Sequence, residues 1–190
     1  ERCVFYRNVA AGFEGGAGGA IGADDDVGLE IRESAFTGNL AGYGGAVLAL
    51  GGLIERCRFD GNGGTYGGAA IEMHAYLSSI DIRGNVFVRN DAIGAPTLVV
   101  LGPGELRNNT IAFNGLNYST GGLVFGGGLQ VRRNIVARNA GVGITCTEEF
   151  VQVACNDVWE NANGNYGGLW GELAGIDGNI SGGPVFSSPR

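Results

Sequence analysis

The sequence contains no lysine, one histidine and one methionine, and only 16% of its 190 residues are charged. All 12 basic residues are arginine, and the formal net charge is −7. Proteins that neutralise nucleic-acid phosphates usually carry a basic excess, so this balance disfavours DNA and RNA as partners. A single histidine, His74, excludes a multi-histidine metal site, and we expect it to lie in a loop or at a strand edge.

Long apolar runs and proline are also scarce. No stretch of 18 consecutive apolar residues occurs, so no membrane insertion by this segment is expected. Residues 1–5 do not resemble a signal peptide and already fall inside the repeat described below, so we expect a processed chain or a piece of a longer one. The four prolines and the absence of a strict Gly-X-Y period exclude collagen.

Glycine, in contrast, is abundant, with 38 residues. Each glycine costs a helix interior about 1 kcal/mol relative to alanine, which excludes a mainly helical protein. The hydrophobic content of 44% is too high for a disordered linker. The length predicts one domain, covering residues 1–190.

A large apolar residue followed three positions later by asparagine recurs seven times along the chain. The interval between successive asparagines varies from 22 residues (Asn139 to Asn161) to 31 (Asn8 to Asn39), as expected for a supersecondary unit with loops of variable length. Two positions before each apolar residue stands a small or polar residue. The asparagines of the repeat are Asn8, Asn39, Asn62, Asn90, Asn114, Asn139 and Asn161.

Apolar residues alternate with polar ones upstream of most of these units, for example at Ile80 and Ile82, which indicates a strand with one buried face. Glycine-rich strings such as residues 44–47 would supply a further short strand after each turn. Three short strands per unit predict an all-β fold, a parallel β-helix of about seven to eight coils with the asparagines in one inward ladder. A β-sandwich or barrel of hairpins is the alternative fold.

Two kinds of string, Phe-Thr-Gly-Asn at residues 36–39 and Gly-Gly-Ala-Val at 44–47, resemble the repeats of bacterial polymorphic outer-membrane and secreted surface proteins. These are right-handed, single-stranded β-helices of the pectate-lyase-like superfamily. The resemblance implies an extracellular or bacterial cell-surface protein with a polysaccharide or cell-surface partner. The superfamily includes lyases, hydrolases, epimerases and non-catalytic adhesins. The chain departs from many relatives at residues 182–184, where Gly-Gly-Pro replaces an Asp-Pro pair.

The alternating strand also presents two outward columns of side chains in the β-helix. Arg83, Arg107 and Arg132 would stack in one of them without an intervening acid, beside Asp81 and Glu105 in the other. One interpretation is a solvated, salt-bridged face. The other is a binding site for an acidic glycan, because stacked like charges are unfavourable unless an anion lies across them. The columns read Glu30, Leu53, Asp81, Glu105, Gln130, Gln152 and Arg32, Glu55, Arg83, Arg107, Arg132, Ala154.

We expect a secreted or surface-displayed, non-catalytic scaffold that binds glycan or protein. The alternative implied by the resemblance is a Ca²⁺-dependent lyase of an acidic polysaccharide, in which Asp81 and Glu105 would help to hold the ion and Arg107 would remove a sugar proton. An ice-binding or purely architectural rod is the third class, although neither column contains threonine. No metal site is otherwise expected; residues 24–26, three aspartates, could bind Ca²⁺ or form a solvated turn.

Cysteine usage separates into two pairs. Cys3 and Cys57 occupy equivalent positions two coils apart, too distant for a bridge, so we expect buried thiols. Cys146 and Cys155 flank a short step and could close a loop at a coil edge, so we expect a disulfide, which suits an exported protein. Near the C-terminus Trp159, Tyr166 and Trp170 could stack on sugars or, as we expect, cover the open end of the coil stack.

Overall fold

The computed structural model describes residues 1–11, 16–23, 28–117, 121–148, 152–169 and 171–183. Within these residues the regular structure is entirely β, with 23 short strands and no α-helix. Every pairing between strands is parallel, and the strands form four sheets. Among the described residues no helix is long and apolar enough to cross a membrane.

The strands of the four sheets follow one another around the chain in a fixed order. Sheet 1 contains β1 (Val4–Tyr6), β4 (Ala35–Thr37), β8 (Arg58–Asp60), β12 (Val86–Val88), β16 (Thr110–Ala112), β19 (Ile135–Ala137) and β22 (Asp157–Trp159). Sheet 2 contains β5 (Leu40–Ala41), β9 (Gly63–Gly64) and β13 (Asp91–Ala92). Sheet 3 contains β2 (Ile21–Ala23), β6 (Val47–Ala49), β10 (Ile71–His74), β14 (Leu98–Leu101), β17 (Leu123–Gly126), β20 (Ile144–Cys146) and β23 (Tyr166–Gly168). Sheet 4 contains β3 (Leu29–Arg32), β7 (Gly52–Glu55), β11 (Ile80–Arg83), β15 (Gly104–Arg107), β18 (Leu129–Arg132) and β21 (Gln152–Ala154).

Each strand pairs with the equivalent strand of the adjacent coil, so the chain forms a parallel β-solenoid and the β-helix prediction is confirmed. The solenoid has about six turns, slightly fewer than the predicted seven to eight. The prediction counted repeat units, whereas the seven strands of sheet 1 are separated by only six steps of the chain. The register places repeat positions directly above one another, for example Phe36 on Phe59 and Phe87 on Ile111.

Among the described residues the core consists of one large column-like cluster inside the coils and a small separate cluster of three alanines. At the N-terminal end, the rings of Phe5, Phe36, Phe59 and Phe87 stack face to face with centroids 4.6, 4.7 and 4.8 Å apart. These separations equal the spacing between neighbouring strands, because equivalent side chains of successive coils are one strand apart. Ile111 continues the same column toward the C-terminus. Burial of these side chains supplies the hydrophobic stabilisation of the fold.

The predicted asparagine ladder is confirmed. From Asn8 to Asn139, each side-chain amide nitrogen donates to the Oδ1 of the asparagine in the next coil, at 2.9 Å from Asn39 to Asn62 and 3.1 Å from Asn90 to Asn114. The same Oδ1 atoms accept backbone N–H groups, such as that of Asn90 at 2.9 Å. All members between Asn39 and Asn161 are buried, while Asn8 at the N-terminal end is exposed. The ladder thereby satisfies the backbone at one corner of every coil.

A second ladder, which the sequence analysis did not predict, runs along the opposite corner of sheet 1. Its amides bond in the same way, at 3.0 Å from Asn85 to Asn109 and 3.1 Å from Asn109 to Asn134. The residues of this column are Asn85, Asn109, Asn134, Asn156 and Asn179. Toward the N-terminus the column changes to Cys57, Ser34 and Cys3. The signal was present as the small or polar residue two positions before each apolar residue.

A residue with left-handed backbone precedes each ladder position. Arg56 has φ 53° and Asn108 has φ 56°, and several of the equivalent positions are glycine, as in Gly84 with φ 66°. A non-glycine residue in this region costs on the order of 1 kcal/mol. The bends persist because the ladder residue that follows is bonded on both sides, and because the bend's own amide bonds to the adjacent coil, as from Arg56 to the carbonyl of Arg83 at 3.1 Å.

All four cysteines are free thiols in the structure, so the predicted disulfide between Cys146 and Cys155 is not formed. Cys146 ends β20 and is buried, whereas Cys155 is exposed in the bend between sheets 4 and 1. The two lie on different sides of a coil, which spacing alone did not reveal. Cys57 is buried as expected, and burial raises the pKa of its thiol. Cys3, expected to be buried, is exposed because β1 is an edge strand.

Candidate functional site

The outward face of sheet 4, here called the charged face, carries the predicted columns of side chains. The register aligns Asp81 with Glu105, and Arg83 with Arg107. Arg107 is in turn aligned with Arg132 in the next coil. The structure therefore brings all the predicted binding residues together on adjacent strands. Their side chains are 26% to 39% exposed, so they lie on an open surface and not in a closed cleft.

The N-terminal part of the charged face is a closed network of ion pairs. Glu55 lies between two arginines, 3.4 Å from the Nε of Arg32 and 3.2 Å from the Nε of Arg83. Arg32 also pairs with Glu30 at 2.5 Å. The hydrogen bond from Arg83 is the main cause that lowers the pKa of Glu55, which keeps this carboxylate charged. The alternation of sign therefore leaves the charges here compensated, as the salt-bridge interpretation predicts.

The C-terminal part differs because two arginines from adjacent strands use the same carboxylate. Arg107 donates from Nε to Glu105 at 2.8 Å, and Arg132 pairs with the other oxygen of the same carboxylate. Two guanidinium groups thus share Glu105. The Nε of Arg132 is buried and makes no hydrogen bond within the described residues. In the column of Asp81 and Glu105, the next outward positions are the uncharged Gln130 and Gln152, which are in register with each other.

The residues predicted for a lyase lie together, but they are already engaged with one another. Arg107 contacts both candidate carboxylates, with Asp81 Oδ1 at 3.8 Å and Glu105 Oε2 at 2.8 Å. A Ca²⁺ ion would have to displace a guanidinium from each. Within the described residues no group of three or more His, Cys, Asp or Glu side chains is placed to hold a metal ion. A proton transfer by Arg107 would require release from both carboxylates.

The other predicted residues lie away from the charged face. His74 is the last residue of β10, and its Nε2 lies 3.0 Å from Glu72 Oε1, while Glu72 Oε2 accepts the backbone N–H of Gly68 at 3.2 Å. Tyr166 belongs to the core, and burial raises its pKa. Trp159 lies on the outer face of sheet 1, with the guanidinium carbon of Arg138 4.8 Å from its ring centroid. Residues 24–26 and 170 lie outside the described residues.

No family model, no curated protein and no solved structure matches the chain. The solenoid architecture therefore rests on the strand pairing of this chain itself.

Proposed function

We propose that this chain is a secreted or surface-displayed, non-catalytic β-solenoid scaffold that binds an acidic polysaccharide along the C-terminal part of the charged face. The observation that carries the proposal is the sharing of Glu105 by Arg107 and Arg132. Arg132 has no carboxylate on its own strand and pairs with Glu105, which Arg107 also uses. The guanidinium donors that remain at this point favour an anionic ligand over a cationic one.

A polymer suits this surface better than a small molecule. The arginines repeat at the interstrand distance of about 4.8 Å along the solenoid axis, so a chain with regularly spaced carboxylates or sulfates can contact several of them in turn. Guanidinium groups form planar, paired hydrogen bonds with such groups. Gln130 and Gln152 extend the face with amides that donate to and accept from sugar hydroxyls.

The open geometry supports a binding role more than a catalytic one. The candidate carboxylates are held by arginine, and the face is a sheet surface with the side chains 26% to 39% exposed, where water has free access. The repeat strings that resemble those of bacterial surface proteins support the proposed location, and membership of the pectate-lyase-like superfamily belongs to the same proposal.

Binding to polygalacturonate, alginate and a sulfated glycan, measured by calorimetry at low and high salt, tests the proposal. We expect binding that weakens as salt rises, because exposed charges are screened over about 8 to 10 Å. Arg132→Ala should weaken binding by about tenfold, the loss of one charged hydrogen bond. The matched control is Arg32→Ala, in the compensated part of the same face, which should change binding by less than about twofold.

Absence of binding to all three polymers would refute the proposal, as would an equal effect of the two variants. Ultraviolet absorbance should stay constant during incubation with Ca²⁺. A rise in absorbance from an unsaturated product, lost in Arg107→Ala, would establish the lyase instead.

A further inference from the structure

Asparagine is followed by glycine at three places in the sequence: residues 62–63, 114–115 and 163–164. In such a pair the backbone nitrogen of the glycine can attack the Cγ of the asparagine, because glycine has no side chain that obstructs the approach. The Cγ–Nδ2 bond breaks, and ammonia leaves with the proton of the glycine N–H, which produces a cyclic succinimide. Water then opens the ring at one carbonyl or the other, to aspartate or to isoaspartate, in which the main chain runs through the former side chain.

Two of the three pairs belong to the first asparagine ladder. Asn62 is 1% exposed and Asn114 is fully buried. The Nδ2 of Asn62 donates to Asn90 Oδ1 at 2.9 Å, and the N–H of Gly63 donates to Asn39 O at 2.9 Å. Asn114 and the glycine after it are held by equivalent bonds. Attack on Cγ would require the side chain to leave the ladder and the glycine to leave its strand pairing, so we expect both pairs to be unreactive in the folded chain.

The third pair lies in a turn outside the ladder. Ala162, Asn163 and Gly164 are all exposed. Within the described residues the side chain of Asn163 has no hydrogen-bond partner. The N–H of Gly164 is restrained by the turn bond to Asn161 O at 3.1 Å, and its φ of 110° is a conformation that glycine adopts without strain. The reacting atoms of this pair are therefore solvated, and the main chain between them is free to rotate once a single turn bond opens.

We propose that Asn163 is a site of spontaneous deamidation, and that the first ladder protects the chemically identical pairs at 62 and 114. The reaction uses only this chain and water, and it replaces a neutral amide by a carboxylate. The contrast rests on burial and hydrogen bonding alone, because the three pairs have the same two residues.

The isoaspartate product changes the turn as well as the charge, because it lengthens the main chain by one atom. The turn connects Asn161, the last member of the repeat, to Asn165, whose Oδ1 accepts from Asn161 Nδ2 at 3.2 Å. It is also fixed to the adjacent coil, since the N–H of Gly143 donates to Gly164 O at 3.0 Å. Isoaspartate at position 163 should therefore loosen this end of the ladder, whereas aspartate, with the normal main chain, should not.

Peptide mapping by mass spectrometry tests the site. The folded chain is incubated at mildly alkaline pH in water enriched in heavy oxygen, so that hydrolysis during the incubation is labelled and hydrolysis during later digestion is not. We expect labelled aspartate and isoaspartate at position 163, and reaction at least about tenfold slower at 62 and 114, since about 1.4 kcal/mol of local opening free energy already gives that factor. Retention of the amide at 163, or equal rates at all three positions, would overturn the proposal.

The same incubation in urea supplies the internal control. Unfolding removes the ladder, so the three pairs should then react at comparable rates. If 62 and 114 stay unreactive in urea, their protection does not come from the fold, and the second half of the proposal is wrong.

Two alanine variants test the chemical route. Gly164→Ala should slow the reaction at Asn163 by about tenfold, because a Cβ on the attacking residue obstructs the approach to Cγ; the factor corresponds to about 1.4 kcal/mol on the barrier. Gly182→Ala is the matched control, since Gly182 is exposed, a Cβ there meets no atom within 4 Å, and no asparagine precedes it. An unchanged rate in Gly164→Ala would contradict the succinimide route.

Amide hydrogen exchange tests the structural consequence. In the purified isoaspartate form the N–H of Gly143 should exchange faster than in the unmodified chain, and in Asn163→Asp, which adds the charge without the extra atom, it should not. The N–H of Asn90, bonded to Asn114 Oδ1 at 2.9 Å in the middle of the ladder, should exchange equally in all three. Equal exchange of Gly143 in the isoaspartate and aspartate forms would show that the turn does not hold the end of the ladder.

Discussion

The N-terminal and C-terminal coils of the solenoid fill the same interior with different side chains. At the N-terminal end, the core column of sheet 1 consists of stacked phenylalanines, and the corner next to it holds Cys3, Ser34 and Cys57. Beyond Phe87 the core column changes to Ile111 and smaller valines, while the corner becomes a continuous asparagine ladder. Three of the four rings accompany small corner residues and the smaller aliphatics accompany amides, whereas in the coil of Phe87 the corner residue is already Asn85.

The difference shows how one fold can be stabilised in two ways. Interiors are packed to nearly constant density, so a larger ring in one position leaves less room at its neighbour. In the N-terminal coils the stabilisation comes from the burial and stacking of aromatic rings. In the C-terminal coils it comes from amides that satisfy both each other and the backbone, as where Asn134 Nδ2 donates to Leu106 O and to Asn156 Oδ1.

The largest effect is expected in the phenylalanine stack. Phe59 is fully buried between Phe36 and Phe87, with centroids 4.7 and 4.8 Å away. Phe59→Ala should lower the free energy of unfolding by about 3 to 5 kcal/mol, because it removes a ring and leaves a cavity. The matched change in the C-terminal coils, Val136→Ala, should cost about 2 kcal/mol. Urea unfolding measures the free energy of unfolding of both variants. Equal losses would contradict the claim that the two ends of the core are stabilised by different side chains.

The next effect concerns the second ladder. Asn134→Leu removes the acceptor of the backbone N–H of Asn109 at 3.0 Å and of its amide, and the donor to Leu106 O. Leaving such buried groups unpaired should cost about 3 kcal/mol. Ser34→Ala, at the equivalent corner of the N-terminal coils, should cost about 1 kcal/mol, because the hydroxyl donates to Arg32 O and accepts from Cys3 N–H near the exposed end. A larger loss from Ser34→Ala than from Asn134→Leu in chemical denaturation would reverse the comparison.

These two regions also show what the sequence could predict. The spacing of apolar residue and asparagine was sufficient for the β-solenoid and the first ladder, since both depend on a pattern that repeats in every coil. The second ladder was not predicted because its N-terminal members are Cys3, Ser34 and Cys57, so asparagine does not recur along the whole column. A column that changes its chemistry along the rod is visible only when strand register is known.

The charged face was predictable in part for the same reason. Alternation in the sequence placed Arg107 and Asp81 in neighbouring columns, and the register confirms that placement. The pairing of Arg107 with carboxylates on its own and the adjacent strand depends on side-chain reach, which sequence spacing does not contain. The failure of the predicted Cys146–Cys155 pairing has a similar origin, because sequence separation does not tell on which side of a coil a residue lies.

A smaller effect is expected from a substitution that extends the second asparagine ladder by one residue into the N-terminal coils. Cys57→Asn places an amide where Cys57 Sγ now lies 3.2 Å from Glu55 O and 3.4 Å from the N–H of Ser34. The new amide can donate to Asn85 Oδ1, as Asn85 does to Asn109, so we expect a gain in stability of up to about 1 kcal/mol in thermal melts. A loss would indicate that the adjacent phenylalanine stack requires a small residue at this corner.

The smallest effect compares one aspartate from each region through the pH dependence of stability. Asp60 accepts hydrogen bonds from Arg89 first and Arg58 second, and these lower its pKa from the usual value of about 3.9. Its folded-state pKa lies below the unfolded value, so its contribution is present above about pH 4 and is lost as pH falls through the lowered pKa. Asp60→Asn should therefore cost about 0.5 to 1 kcal/mol at pH 7, and progressively less as the pH falls through the lowered pKa.

Asp157, at the C-terminal end of the outer face of sheet 1, has the opposite behaviour. Burial raises its pKa, and its Oδ1 makes no hydrogen bond within the described residues. The sign is then opposite: the ionised carboxylate is destabilising at pH 7, and Asp157→Asn should raise stability there, with the gain fading as Asp157 becomes protonated in the wild type. Urea unfolding of both variants between pH 3 and pH 7 gives two difference curves, and curves of the same sign would contradict the assignment of one aspartate to an ion pair and the other to an uncompensated site.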